Sequence, residues 1–256
     1  MVNIILDVSG IVYRCFHGIP PISTTTGVQK NALVGFYRRL NGLMKQYPDA
    51  TFLACFDTYR HTNLRRENDP EYKANRQKAP EGLHEQFNHV RRLCDALRIQ
   101  KIYQEGYEAD DLIASICTHT DEDCVVVTYD KDMLQLIQYP HVKIYNPQQK
   151  RILDEVYVRE KYNISAKHFD LYLALVGDAS DNIKGVRNVG PKRASKLITN
   201  TGGDIDSMCS CLKVDKEYIL SQLQLVHFLD CHVEYEKRTI QKEDTFYAFL
   251  IEYEMT

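Results

Sequence analysis

Over the first 150 residues, short β-branched and apolar runs alternate with longer segments of helical period, the pattern of a parallel α/β sheet. Residues 2–6, 51–56, 99–103, 124–128 and 142–145 read as strands, and 29–46, 82–97, 109–118 and 131–137 as helices. From Asp154 onward the strand signal stops. Residues 155–162, 166–176 and 191–199 have helical period, followed by a weaker stretch at 214–232. The expected organisation is therefore an α/β body over 1–150 and a helical region over 151–256. Residues 60–78, RHTNLRRENDPEYKANRQK, resist this pattern, with six Lys or Arg, three Asp or Glu and almost no apolar period. Such a segment is expected to be a solvated excursion, and long excursions from compact domains are commonly functional or disordered.

A 44% hydrophobic and 26% charged composition supports a sizeable core and argues against a disordered chain. No apolar run approaches the roughly 20 residues of a membrane span. The opening Met1 to Asp7 has no basic flank and breaks its apolar run at Asp7, so a cytoplasmic location is expected, with no membrane partner. Eight scattered cysteines suit reduced thiols better than a disulfide framework at this length. Cys209, Cys211, His227, Cys231 and His232 could be drawn as a zinc site, but their spacing fits no standard finger. A net charge of −3 argues at first against nucleic acid.

The positions of the acidic residues change that picture. In open α/β sheets the active crevice lies outside the carboxyl ends of the strands. Asp7 ends the first predicted strand and Asp57 follows the second. Glu108, Asp110 and Asp111 come after the third, and Asp130 and Asp132 after the fourth. One such Asp is ordinarily a helix cap or turn residue; recurrence at four strand ends is not. A helix dipole contributes only about 0.3–1 kcal/mol per anion, too little to hold so many charges together. Divalent cations are the natural partners, and all-oxygen ligands suit Mg²⁺ or Mn²⁺. Two ions about 4 Å apart could stabilise both attacking and leaving oxygens of a phosphoryl displacement. Asp178 and Asp181 add a D-x-x-D pair in the helical region. The glycine-bracketed segment from Gly185 to Ala194 opens a helix at Pro191 and carries basic residues without an acidic one. Its backbone amides could meet phosphate without reading bases.

The ordered series Val8 to His17, Phe56-Asp57, Tyr72-Lys73-Ala-Asn-Arg76, Glu108-Ala-Asp-Asp111, Asp130-Lys-Asp132-Met and Gly177-Asp178-Ala-Ser-Asp181-Asn-Ile resembles the 5′ nuclease family. That family includes flap endonucleases, phage 5′-exonucleases and the 5′→3′ exonuclease domain of bacterial DNA polymerase I. The resemblance runs from about residue 2 to 200, and no polymerase domain is expected to follow. It implies a PIN-like α/β fold with a mainly parallel sheet flanked by helices, a helical arch at about 60–90, and a helix-hairpin-helix-type DNA-binding element at about 177–200.

By the same resemblance, Asp7, Asp57, Glu108, Asp110 and Asp111 form a first metal cluster, and Asp130, Asp132, Asp178 and Asp181 a second. Asp130, Asp181, Lys73 and Arg76 carry catalysis, with Lys73 and Arg76 at the arch base reaching the scissile phosphate. Tyr72 stacks on a base. Lys184, Gly185, Val186, Arg187, Val189, Gly190, Lys192 and Arg193 grip duplex backbone, where the family also binds K⁺. Expected cofactors are two or more Mg²⁺, replaceable by Mn²⁺. Expected partners are DNA with 5′ flaps, overhangs or nicks, including RNA-primed DNA, engaged by a monomer.

Three positions depart from the family pattern: Val8 replaces a Gly after the first Asp, Tyr129 replaces the Gly before Asp130, and Arg187-Asn188 stands where polymerase relatives tend to have Pro-Gly. None removes a ligand. The implied activity is hydrolysis of DNA near single-strand/duplex junctions. The competing readings are a non-catalytic DNA-junction-binding protein and a PIN-type ribonuclease. A haloacid-dehalogenase-like phosphatase lacks its second carboxylate in Asp7-Val-Ser9, and no glycine-rich nucleotide loop is present. With the nine ligands set aside, 26 acidic residues face 32 basic ones, so the overall charge averages an anionic pit with a basic remainder.

Overall fold

The computed structural model describes residues 2–58 and 63–255, Asn68 by its backbone alone. Residues 60–62, the start of the predicted excursion, lie outside the described residues. The core is a six-stranded sheet ordered β3-β2-β1-β4-β5-β6. Its strands are β1 (Asn3–Asp7), β2 (Thr51–Cys55), β3 (Gln100–Ile102), β4 (Cys124–Val127), β5 (Val142–Asn146) and β6 (Arg151–Leu153). The first five are parallel, and β6 returns antiparallel along β5. The sequence pattern did not contain β6: two of its three residues are exposed, so it carries no apolar period.

All five residues of β1 and all four of β4 are buried, which explains their near-continuous apolar runs: helices cover both faces of a parallel sheet. Alternation along the strands divides the core in two. Ile5, Leu53 and Val126 pack toward α5 (Ala109–Thr118) and α7 (Phe169–Val176). Ile4, Leu6, Phe52, Val125 and Val127 pack toward α1 (Val8–Gly18), α2 (Asn31–Gln46), α4 (Leu83–Ala96) and the distant α11 (Asp244–Glu252). Strand order reverses between β1 and β4, so the crevice expected at such a switch point lies between the ends carrying Asp7 and Asp130.

Where the resemblance leads one to expect an arch, the described residues form α3 (Arg65–Asn68), four residues long, and a run of turns to residue 82. Pro70 accounts for the short helix, since Asp69 before it is extended at φ −139°, ψ 100°. The segment is less solvated than its composition predicts, because Arg65 and Tyr72 are both buried. The predicted helix at 131–137 is a 3₁₀ segment, Asp132–Gln138. Beyond α6 (Glu155–Tyr162) and α7 come α8 (Pro191–Thr201), α9 (Ile205–Leu212) and α10 (Lys216–Val226). No helix among the described residues is long and apolar enough to cross a membrane.

Candidate active site

Each strand end delivers its carboxylate through a local device. Asp7 caps α1, its Oδ1 accepting from Gly10 N–H at 2.8 Å, while Oδ2 accepts from the Thr128 hydroxyl at 2.7 Å. The carboxylate folds so closely over the helix that a Cβ on Gly10 would lie 2.3 Å from its oxygen, so a side chain at position 10 would push the Asp7 carboxylate out of this position. Thr128 Oγ1 also accepts from Asp130 N–H at 2.9 Å, tying the first strand end to the fourth. Asp57 accepts from Ala109 N–H at 2.9 Å, which brings the second strand end to the start of α5.

Burial, above all, pushes the Asp7 carboxyl up to about 6, despite its two hydrogen bonds. Burial and then the charges of Asp130 and Asp7 raise Asp110 well above the carboxylate range. Asp130 is raised by burial and by Asp181, and Asp132 is pushed up to about 8 by burial and by Asp130. Oδ1 of Asp132 is buried without a hydrogen-bond partner.

The arch base closes over the other side. Lys73 Nζ donates to Glu108 Oε1 at 2.7 Å and lies 3.6 Å from Asp181, while Arg76 pairs with Asp181. Backbone bonds seat this segment on the D-x-x-D loop: Lys73 N–H donates to Asp181 O at 2.9 Å and Asn182 Nδ2 to Glu71 O at 2.8 Å. Burial opposes the charge on Glu108, yet Lys73 and Arg65 overcome it and hold the carboxyl below its ordinary value. Lys131, between the two aspartates of its own motif, donates to Asp178 at 2.6 Å. Burial likewise disfavours the Asp178 charge, but Lys131 and Ser180 keep this carboxyl low.

Five expected site residues are placed elsewhere. Asp111 is fully buried and all its acceptor positions are used. Oδ1 takes Arg65 Nη2 at 2.6 Å and Leu229 N–H at 2.8 Å; Oδ2 takes Arg65 Nη1 at 2.8 Å and Glu108 N–H at 2.9 Å. It is a structural anion, with no lone pair left for a metal. Tyr72 cannot stack on a base as placed, since the residue is 3% exposed and its hydroxyl donates to Glu108 at 3.0 Å.

In the hairpin, Gly185, Val186 and Val189 belong to the interior. Their amides donate to Gln222 Oε1, Leu175 O and Val186 O. Gly177 and Gly185, both at positive φ, pass back to back: a Cβ on Gly185 would lie 2.6 Å from the Gly177 nitrogen. Lys184, Arg187, Gly190, Lys192 and Arg193 are exposed, and they form the surface that the turn presents.

The donor set fits hard divalent cations. Four carboxyls have their charge disfavoured, one oxygen is an orphan, and the candidate ligands are all carboxylate oxygens. Among the described residues no three Asp, Glu, His or Cys side chains already converge on one point, in keeping with the bases that occupy Glu108, Asp178 and Asp181. The zinc alternative finds no support. Cys231 packs on Ser115, His227 bonds Asp170 at 2.8 Å, and Cys211 and His232 point into solvent.

Sequence reasoning missed Thr128, Arg65 and Lys131. Thr128 and Lys131 flank the carboxylates in sequence and could have been found; Arg65 is one of six basic residues in its segment and carries no local signal.

A family model described as the 5′-3′ exonuclease N-terminal resolvase-like domain matches residues 2–163, and one described as the 5′-3′ exonuclease C-terminal SAM fold matches residues 164–232. DNA polymerase I of Pseudomonas aeruginosa is 37% identical over 212 residues, covering 82% of this chain and 23% of the relative. The chain thus spans about a quarter of that relative's length. A 5′-3′ exonuclease of Aquifex aeolicus is 33% identical over 217 residues, covering 84% of this chain and 74% of the relative. Among solved structures, the bacteriophage T5 flap endonuclease, in a pseudo-enzyme-product complex with DNA and metal ions, superposes with a TM-score of 0.68 at 22% identity over 88% of this chain and 89% of that one. Flap endonuclease-1 from Methanococcus jannaschii gives 0.65 at 16% identity over 98% and 86%. These two share the fold. On the family-model matches and its identity to the Aquifex protein, the chain belongs to the 5′-3′ exonuclease family of nucleases.

Proposed function

We propose that this chain is a Mg²⁺-dependent, structure-specific 5′ nuclease that hydrolyses DNA phosphodiesters near single-strand/duplex junctions. The observation that carries the reading is the gathering of carboxylates at the strand ends, four of them (Asp7, Asp110, Asp130 and Asp132) with their charge disfavoured and the unpartnered Asp132 oxygen among them, beside a segment that supplies Lys73 and Arg76. Asp7, Asp57, Glu108 and Asp110 would hold one divalent ion and Asp130, Asp132, Asp178 and Asp181 a second. Ions bound there would supply Lewis acidity toward phosphate oxygens and lower the pKa of a coordinated water.

This chain's own residues do the remaining work. Lys73 and Arg76 stand ready to exchange their carboxylate partners for phosphate oxygens and to neutralise charge there. Thr128 fixes the Asp7 carboxylate and the Asp130 backbone relative to one another. The exposed Lys184, Arg187, Lys192 and Arg193 would track duplex backbone without reading bases. K⁺ at this hairpin, replacement of Mg²⁺ by Mn²⁺, action on RNA-primed DNA and a monomeric state are carried over from the family resemblance and belong to the same proposal.

The test is a product map on matched flap, nicked, overhang and blunt DNA and on single-stranded RNA, with Mg²⁺ or with EDTA. Mg²⁺-dependent cleavage at the junction supports the reading. Junction binding without cleavage would establish a binding protein, and preference for unstructured RNA would establish a ribonuclease.

A further inference from the structure

The basic turn that opens α8 owes its shape to a helix outside it. Gly185, at φ +62°, passes Gly177, at φ +77°, so closely that neither position has room for a side chain. Glycine has more backbone freedom than any other residue, yet both polar groups of Gly185 are held. Its N–H donates to Gln222 Oε1 at 3.0 Å, and its carbonyl accepts from the Tyr218 hydroxyl at 2.7 Å. The two partners stand four residues apart on α10, so one face of a single helix takes both backbone groups of one residue.

The rest of α10 makes that hold firm. Ile219, Leu223 and Val226 are buried, and the helix packs against α7, whose last residue directly precedes Gly177. Gln222 is buried with them, and a buried amide is accommodated where it satisfies another polar group. The floor of the turn is fixed as well. Val186 N–H donates to Leu175 O at 2.8 Å, and Asp178 and Ile183 exchange backbone bonds of 2.9 and 2.8 Å. Above this floor Lys184 and Arg187 stand exposed on either side of the held residue.

We propose that Tyr218 and Gln222 are positioning residues for duplex DNA: by fixing Gly185 they order the turn, and with it Lys184 and Arg187, before DNA arrives. This rests on the reading of the turn as a duplex-gripping element. Gln222 is buried and acts only through Gly185. What the pair supplies is order. A turn released from α10 has to lose its backbone freedom on binding, and ordering one residue at that moment weakens affinity roughly five- to thirtyfold.

The test uses Gln222→Met, which keeps the length of the side chain and removes the acceptor, and Tyr218→Phe, which removes one hydroxyl. Ile219→Val, on the same helix, weakens packing without touching Gly185 and controls for stability alone. All are measured well below their melting transitions. Affinity for a labelled blunt DNA duplex is read by anisotropy in EDTA, and protection of the turn amides by hydrogen–deuterium exchange with and without the duplex. Gln222→Met should bind roughly five- to thirtyfold more weakly and Tyr218→Phe a few-fold, while Ile219→Val binds like the parent. In both positioning variants the turn amides should exchange faster in the free protein and recover parental protection in the complex. Parental affinity in both variants overturns the proposal. So does a loss that Ile219→Val reproduces, or one that leaves the turn amides as protected as in the parent. If Gln222→Met does not fold, Tyr218→Phe carries the same comparison. A parent that does not bind duplex sinks the DNA-gripping reading and the positioning role with it; variants that match a parent that does bind sink the positioning role alone.

Discussion

Replacing Asp132 by Asn should stabilise the metal-free protein at neutral pH while abolishing its response to Mg²⁺. Asp132 has a buried oxygen without a partner and a carboxyl pushed up from 3.8 to about 8 by burial and by Asp130. The sign follows from linkage. A native pKa above the unfolded one means that the folded protein binds the proton more tightly, so stability falls as pH rises from about 4 toward 8 and levels off above it. At about 1.4 kcal/mol per unit, the upper figure between pH 4 and pH 7 is roughly 4 kcal/mol. Asp130 and Asp132 titrate as a pair, so neutralising one recovers about half of that, on the order of 2 kcal/mol.

For a chain of this size that corresponds to a rise in Tm of about 4–8 °C. The assay is thermal melting followed by circular dichroism in EDTA, at about pH 7.5 and about pH 4.5, above and below most of the titration. The gain should be present at the higher pH and nearly absent at the lower. With Mg²⁺ at a hundredfold excess over its Kd the parent should gain about 2.7 kcal/mol, and the Asn variant should gain little. A variant less stable than the parent at both pH values, or a parent whose melt ignores Mg²⁺, would refute the argument that this carboxylate is strained for want of a cation.

Asp111→Asn should behave oppositely, because it leaves the buried Arg65 charge without its partner; a loss of about 3–5 kcal/mol is expected in urea unfolding, with or without metal. Similar stability in parent and variant would return Asp111 to the ligand set. Asp130→Asn and Asp181→Asn should slow flap cleavage by at least about a hundredfold while junction affinity in EDTA changes little, the scale on which loss of one electrostatic contact to a reacting group is felt; undiminished Mg²⁺-dependent turnover would sink the metal-site assignment. Tyr72→Phe should lower stability by about 1–2 kcal/mol through loss of the hydroxyl bond to the ionised Glu108 and leave DNA affinity unchanged. Tyr72→Ala weakening DNA binding without destabilising the protein would instead favour a stacking role.

The parallel strands were legible because strands buried on both faces read as unbroken apolar runs. Helix α11 was not, although Phe246, Phe249 and Leu250 have helical spacing: its partner α4 lies some 150 residues earlier, and nothing local shows that an isolated nine-residue amphipathic segment will be docked. The same limit governs the site. Strand-end aspartates announce themselves, since the position of a strand end follows from the run before it. Asp110 and Asp111 are indistinguishable as text, yet adjacent residues on a helix face directions about 100° apart. What separates a strained carboxyl facing Asp7 and Asp130 from a saturated structural anion is Arg65, 46 residues away in a segment whose composition suggested solvent.

Charge explains why the arch base folds down where it does. The eight carboxylates that remain as candidate ligands carry a formal −8, and Lys73, Arg76 and Lys131 offset only three of those charges. The residual −5 is what the raised carboxyls of Asp7, Asp110, Asp130 and Asp132 express, and two divalent ions would reduce it to −1. The lysine and arginine that now serve Glu108 and Asp181 are also those proposed to meet phosphate. On the proposed function, an ion arriving at the carboxylates would do more than fill a site: by taking over the negative charge, it would free Lys73 and Arg76 for DNA. By linkage, DNA that drew these two bases away would raise the affinity of the carboxylates for cations by the same factor.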